Sequence, residues 1–457
     1  MSLSEAFRPF VEGAPCAVMA RLSVEYLVDD QTLSLLFAEH ADRQYERQLT
    51  LTHLVDVMLD VACGIQGSPR SAFQARSEEI AASLSAFYGK LNRTELGVSA
   101  AVVAHSGKKA RTVIQAMQGL DNEPVPGFAS HVLDGNMLAG TDHRLKPLRK
   151  TRAAALPGKL LALYECATGV VVQAVLWEDA HSQERALLGE LTIEAGIHLM
   201  ADRNFCVSAF MQRIEQSRSW FTIRHHRSSF PLKSVEHVGK VRRCGRCETG
   251  TVSEQAIRVV GAEERYFLWR KITLHLDTPT RDGETEIVLI TNLPRRVKAR
   301  TIAMAYRRRW TIENHFQRLT DWLHCELPTL GYPRAALFAF AMSLVAGNAL
   351  AMLIGAFRAA HGTTLADNLS YAALADEIAG TQRGMMLALP PRRWSFVRDC
   401  APQRIGRLLK HLAQHANLKR LRKTKRGPKK PRRTPNCKNI RHLSTHRILL
   451  QQGKRAC

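Results

Sequence analysis

The chain has 457 residues, 45% of them hydrophobic, enough for two or three domains with a sizeable core. Its net charge of +24 and pI near 10 are the electrostatic footprint of a protein that meets a polyanion. The ten cysteines form no disulfide framework and read as thiols in a reducing cytoplasm. The opening MSLSEAFRPF lacks the basic region and apolar core of a signal peptide.

Residues 1–125 read as helical. LTHLVDVMLDVACG, SAFQARSEEIAASLSAFYGKL and VSAAVVAHSGKKARTVIQAM carry apolar residues at helical spacing, with Gly, Pro and Asn clusters between them. DNEPVPGF is a linker, and the period then changes. ASHVLDG, GKLLALYE and GVVVQAVLW are short β-rich runs divided by turn residues. Ala180 to Gly196 reads as a helix, IHLMAD as a fourth strand and SWFTIRHH as a fifth. Asp134 and Asp202 each follow a short apolar run, in HVLDGN and LMADRNF. The stretch between the first two runs carries His143, Arg144, Lys146, Arg149, Lys150 and Arg152. It reads either as a contact for a phosphate backbone or as a solvated loop. Glu178 and Asp179 read as acids at a helix N-terminus, where the helix dipole favours them.

At about 226–292, SVEHVGKVRR, EQAIRVVG, RYFLWRKITLHL and TEIVLITNL form a β-rich insertion. Trp269 within it reads as core rather than as a stacking platform. Cys244 and Cys247 stand as a single CxxC without a second pair or nearby histidines, which is poor zinc spacing. Ala335 to Phe357 contains no charge. It is long enough to span a membrane, but Ser343, Asn348 and the many alanines favour a buried helix, so no membrane partner is expected. Residues 401–457 hold 18 Lys and Arg and no acid. They read as a basic, largely disordered tail adding salt-dependent DNA affinity.

The most informative stretch is Tyr306 to Thr320, YRRRWTIENHFQRLT, which has no Pro or Gly and reads as one helix. At about 100° per residue, taking Tyr306 as zero, Arg309 falls near 300° and Glu313 near 340°. A tyrosine, an arginine and a carboxylate thus share one narrow stripe, an unusual face for packing. This Y-x2-R-x3-E spacing resembles the Y-R-E-K motif of bacterial insertion-sequence DDE transposases, the "insertion sequence four" group. The likeness runs from about Asp134 to about Gly331. It departs at the motif's last position, where Thr320 stands in place of lysine.

The resemblance implies an α/β fold. An RNase H-like catalytic domain would span 126–400 with the β-rich insertion, preceded by a helical, DNA-binding or scaffolding domain at 1–125. It implies Asp134, Asp202 and Glu313 as catalytic, metal-binding carboxylates, with the first and fourth strands side by side. Carboxylate oxygens suit Mg²⁺ or Mn²⁺, and two ions about 4 Å apart would clamp an in-line displacement. Tyr306, Arg309, Arg144, Lys146 and Arg149 would hold DNA. The implied activity is cut-and-paste transposition of double-stranded DNA by a homodimer in the bacterial cytoplasm, associated with the nucleoid. Two alternatives stay open: an RNase H-like nuclease that cuts without joining, and a catalytically silent DNA-binding derivative.

Overall fold

The computed structural model describes residues 4–261, 265–280, 283–309, 323, 326–423 and 442–451. Eleven strands are described: β1 Ala129–Met137, β2 Ala154–Leu156, β3 Lys159–Glu165, β4 Val170–Trp177, β5 Ile197–Ala201, β6 Trp220–Arg224, β7 Glu236–Cys247, β8 Gly250–Val260, β9 Tyr266–Leu276, β10 Glu286–Thr291 and β11 His442–Ser444. Nine of them make one mixed sheet in the order β4-β3-β1-β5-β6-β10-β9-β8-β7. β1 is antiparallel to β3 and parallel to β5, and β5 is parallel to β6. β1 and β5, the first and fourth strands expected from the sequence, therefore lie side by side. The insertion does not form a separate module. It extends the same sheet, because β10 returns to pair with β6. β2 and β11 form a second, two-stranded sheet.

Pro333–His361 is the central helix. Its apolar window is 94% buried, because it packs against the helices Pro15–Leu27, Leu51–Ala62, Leu96–Ala116 and Pro402–His415 and against β4. Proline opens it and Gly362, at φ 84°, ends it in a conformation that favours glycine. Asn348 is buried but satisfied: its amide donates to Ser106 Oγ and Val171 O, both at 3.0 Å, and its oxygen accepts from Val171 N at 2.8 Å. One side chain thus ties the central helix to Leu96–Ala116 and to β4, at little net cost because every polar atom is paired.

The buried residues of the helices before residue 125 share one continuous core with the sheet and the central helix. Three expectations need correction. The disordered tail does not begin at 401. Pro402–His415 is a helix whose Ile405, Leu408, Leu409 and Leu412 are buried, and residues 442–451 add a strand and a helix. The rest of that tail, 424–441 and 452–457, lies outside the described residues. Between Ala180 and Gly196 there is only a 3-10 helix, Glu184–Glu190. Glu178 and Asp179 are not dipole acids but ion-pair partners, of Arg334 at 2.8 Å and Arg447 at 2.8 Å respectively.

Candidate active site

The strand pairing brings the two aspartates together. In the parallel pair, Leu133 of β1 stands opposite Ala201, the last residue of β5. The next residue on each chain is an aspartate. Neighbouring strands lie about 4.8 Å apart, so Asp134 and Asp202 emerge as neighbours where β5 ends and β1 continues. Both strands are held rigidly: Val132 and Leu133 are buried, and so is every residue of β5. Asp202 caps the short turn Arg203–Phe205, its Oδ1 accepting from Asn204 N at 2.5 Å.

Arg309 stands at this corner beside Asp134. Its Nη1 stands 3.4 Å from Asp134 Oδ2, with side chains only 8% and 15% exposed. A buried guanidinium beside the Asp134 carboxylate compensates its charge, and its removal would leave an uncompensated buried charge. Tyr306 is also buried. Burial pushes its phenol up, and the charge of Asp202 adds to this, against the opposing pull of Arg309 and Arg224. The phenol therefore stays protonated across the working pH range. The helix that carries Tyr306 runs from Ala299 to Arg307, and Arg308 and Arg309 follow in a turn. The helix expected from Tyr306 onward thus begins earlier, at Ala299, and ends at Arg307, while residues 310–320 of that stretch lie outside the described residues. Glu313 and Thr320 lie outside the described residues.

One acid at the site escaped the sequence reading. Glu184 opens the 3-10 helix beside β1, so close to Gly135 that a Cβ there would come within 2.5 Å of Glu184 Oε1. Burial raises its carboxyl, and Asp202 raises it further, while Lys159 and Asn204 pull it down. The signal that could have found it is the glycine directly after Asp134, where backbone and a side chain approach closely. Among the described residues, no three His, Cys, Asp or Glu side chains stand together as a metal-holding group. The two aspartates supply hard, acceptor-only oxygens of the kind that suit Mg²⁺ or Mn²⁺.

Arg144, Lys146 and Arg149 are exposed on the loop that follows β1, and Asp142 pairs with Arg144 at 3.4 Å. This loop is stitched to the chain after the signature stretch, Asp142 N donating to Pro328 O at 2.7 Å. Trp269 is fully buried and its Nε1 donates to Glu215 at 2.6 Å. A cleft of about 920 Å³ opens between β7 and the helix Ala299–Arg307, with Arg242, Arg295, Lys298, Arg300 and Arg308 on its walls. Cys244 and Cys247 also line it.

Residues 133–346 match the family model for the transposase DDE domain. The match begins one residue before Asp134 and takes in Asp202, Tyr306 and Arg309. No curated protein matches the chain. Seven chains of solved structures match. One of them belongs to the cryo-EM structure of the piggyBac transposase synaptic complex with hairpin DNA. It is 10% identical, with a TM-score of 0.38, and the match covers 80% of this chain and 81% of that one.

Proposed function

We propose that this chain is a DDE transposase with an RNase H-like catalytic fold, of the "insertion sequence four" kind, which moves DNA by cutting and rejoining it. The observation that carries this reading is that Asp134 on β1 and Asp202, one residue past the end of β5, follow a facing pair of neighbouring parallel strands, within the stretch that matches the transposase DDE domain. The strand order β4-β3-β1-β5-β6, antiparallel then parallel, is the order that the RNase H-like reading requires.

Asp134 and Asp202 would hold two Mg²⁺ or Mn²⁺ ions, with Glu313 as the third carboxylate on the strength of its motif. Such ions, when bound, activate an attacking oxygen and stabilise the leaving one in an in-line displacement at phosphorus. Arg309 compensates charge beside Asp134, and Tyr306 stays protonated and braces the corner next to Asp202. Arg144, Lys146 and Arg149 contact the phosphate backbone, which fixes register without reading sequence. Water first attacks a phosphodiester and frees a 3′-hydroxyl. That hydroxyl then attacks a second phosphodiester, exchanging one P–O bond for another, with no net oxidation or reduction. A homodimer synapses two DNA ends.

The test is incubation of the purified chain with a duplex carrying the DNA that flanks its own gene, with Mg²⁺. Nicked product followed by joined product supports the reading. Nicks that never join point to a nuclease, and intact duplex sinks the enzymatic reading altogether.

A further inference from the structure

The end of the described chain lies on the basic loop. β11, His442–Ser444, pairs in parallel with β2, Ala154–Leu156. The helix Thr445–Gln451 follows directly and buries Leu449 against Leu145, Leu148 and Ala155. These four residues, with Ile448 against them, form a small core of their own, apart from the two large ones. Leu145 and Leu148 are the apolar anchors of the loop that displays Arg144, Lys146 and Arg149. Without Leu449 their cluster would shrink to the loop's own residues.

Charge fastens the same contact. Arg447 Nε lies 2.8 Å from Asp179, and His446 Nδ1 lies 3.2 Å from Glu178. Glu178 also pairs with Arg334, on the first turn of the central helix. Burial works to raise the Asp179 carboxyl, but the bonds from Arg447 and from the His181 amide outweigh it and hold it low. Asp179 thus stays ionised beside Arg447. A line of neighbouring charges joins this contact to the active site: Arg447 to Asp179, both near Lys159, Lys159 near Glu184, and Glu184 near Asp202.

We propose that residues 442–451 are a clip that holds the basic loop at the mouth of the carboxylate site, with Arg447 and Leu449 as positioning residues for the polyanionic substrate. The proposal rests on the transposase reading for its substrate, but not for the clip itself. A loop held only by its own few contacts samples many arrangements, and its cations then contribute little preorganised binding. Fastened by a strand, a leucine and an ion pair, the same cations stay where a phosphate backbone would cross the metals.

The test uses the full chain, amide hydrogen exchange and a fluorescent random-sequence duplex. Leu449→Asp should speed exchange across 141–156 by about tenfold or more, while β1 and β5 keep their protection. Affinity for the duplex should fall about tenfold, the size expected from losing one or two well-held charged contacts. Arg447→Asp should act in the same direction, and adding Asp179→Arg should restore both exchange and affinity. Restoration by the swapped pair is a readout that general destabilisation would not give. Unchanged exchange in 141–156 overturns the clip, and the transposase reading survives it. Faster exchange with wild-type affinity and cleavage overturns the link to substrate. A wild-type chain that binds no duplex overturns that link and the transposase reading together.

Discussion

The nine-stranded sheet has two halves that do different work. In β4-β3-β1-β5-β6 the strands are sandwiched, and β3 and β5 are buried at every residue. In β10-β9-β8-β7 the sheet runs outward until β7, most of whose residues are exposed, with Lys240, Arg242, Arg243 and Arg246 among them. Hydrogen bonding is continuous from one edge to the other. The buried half fixes two acids to within a strand spacing, which metal chemistry requires. The open half presents cations to solvent, where long-range attraction to a polyanion needs charge but tolerates loose geometry.

The largest expected effect lies at the meeting point of β1 and β5. Asp134→Ala and Asp202→Ala should each lower Mg²⁺-dependent cleavage by about a thousandfold or more, as loss of one member of a concerted site does. Duplex affinity should stay within a few fold. Glu313→Gln should behave alike if it is the third carboxylate. A single-turnover assay beside a binding titration separates the two quantities, and full cleavage by any one variant removes that residue from the chemistry.

The next effect breaks the packed half without touching the acids. At Gly107 the helix Leu96–Ala116 meets β4 so closely that a Cβ would lie 2.4 Å from Val171 O and 3.0 Å from Val172 Cα. Backbone cannot step aside as a side-chain tip can. Gly107→Leu should therefore cost about 1–3 kcal/mol or more, the range for overpacking. Urea unfolding measures it, and a loss below about 0.5 kcal/mol would show the two elements free to separate. The open half should answer in the opposite way. Lys240→Ala with Arg243→Ala should leave urea stability nearly unchanged. If β7 touches DNA, the slope of log affinity against log salt should drop by about 1.8, two phosphates at about 0.9 each. An unchanged slope would take β7 off the DNA.

The same contrast explains what could be read from sequence. β1 and β5 were legible because each is an apolar run ending in an aspartate, a pattern set by a strand buried on both faces. Trp269 was legible as core for another reason, as a single aromatic within a strand, and it is fully buried. β2 and β11 were not, since three-residue strands carry no alternation to detect. In Pro402–His415 the helical period was present at Ile405, Leu408, Leu409 and Leu412, but surrounding arginines and lysines hid it. Composition describes the outer face of such a helix, whereas spacing describes the inner one. Glu178 and Asp179 looked like helix-start acids because their partners lie far along the chain, at Arg334, His446 and Arg447. Long-range ion pairs leave no local trace.

The smallest effect concerns pH and sits in the buried half. His198, on β5, is fully buried between Ser130 Oγ at 3.3 Å and Thr222 Oγ1 at 2.8 Å. Burial, with help from His131, pushes its imidazole down to about 3, against about 6.5 in an unfolded chain. Between those values the unfolded chain binds a proton that the folded chain refuses. Stability is then complete above about pH 6.5 and is lost as pH falls, by up to about 1.4 kcal/mol per unit. From pH 7 to pH 5 the loss from this one group should approach about 2 kcal/mol. His131, on the adjacent strand and likewise depressed by burial, adds to the wild-type slope. His198→Asn keeps a polar side chain without the titration, so its urea midpoint should depend less on pH than that of the wild type. Equal pH dependence in the two proteins would mean that His198 accepts its proton without unfolding the sheet, and that β5 is less rigid than the placement of Asp202 demands.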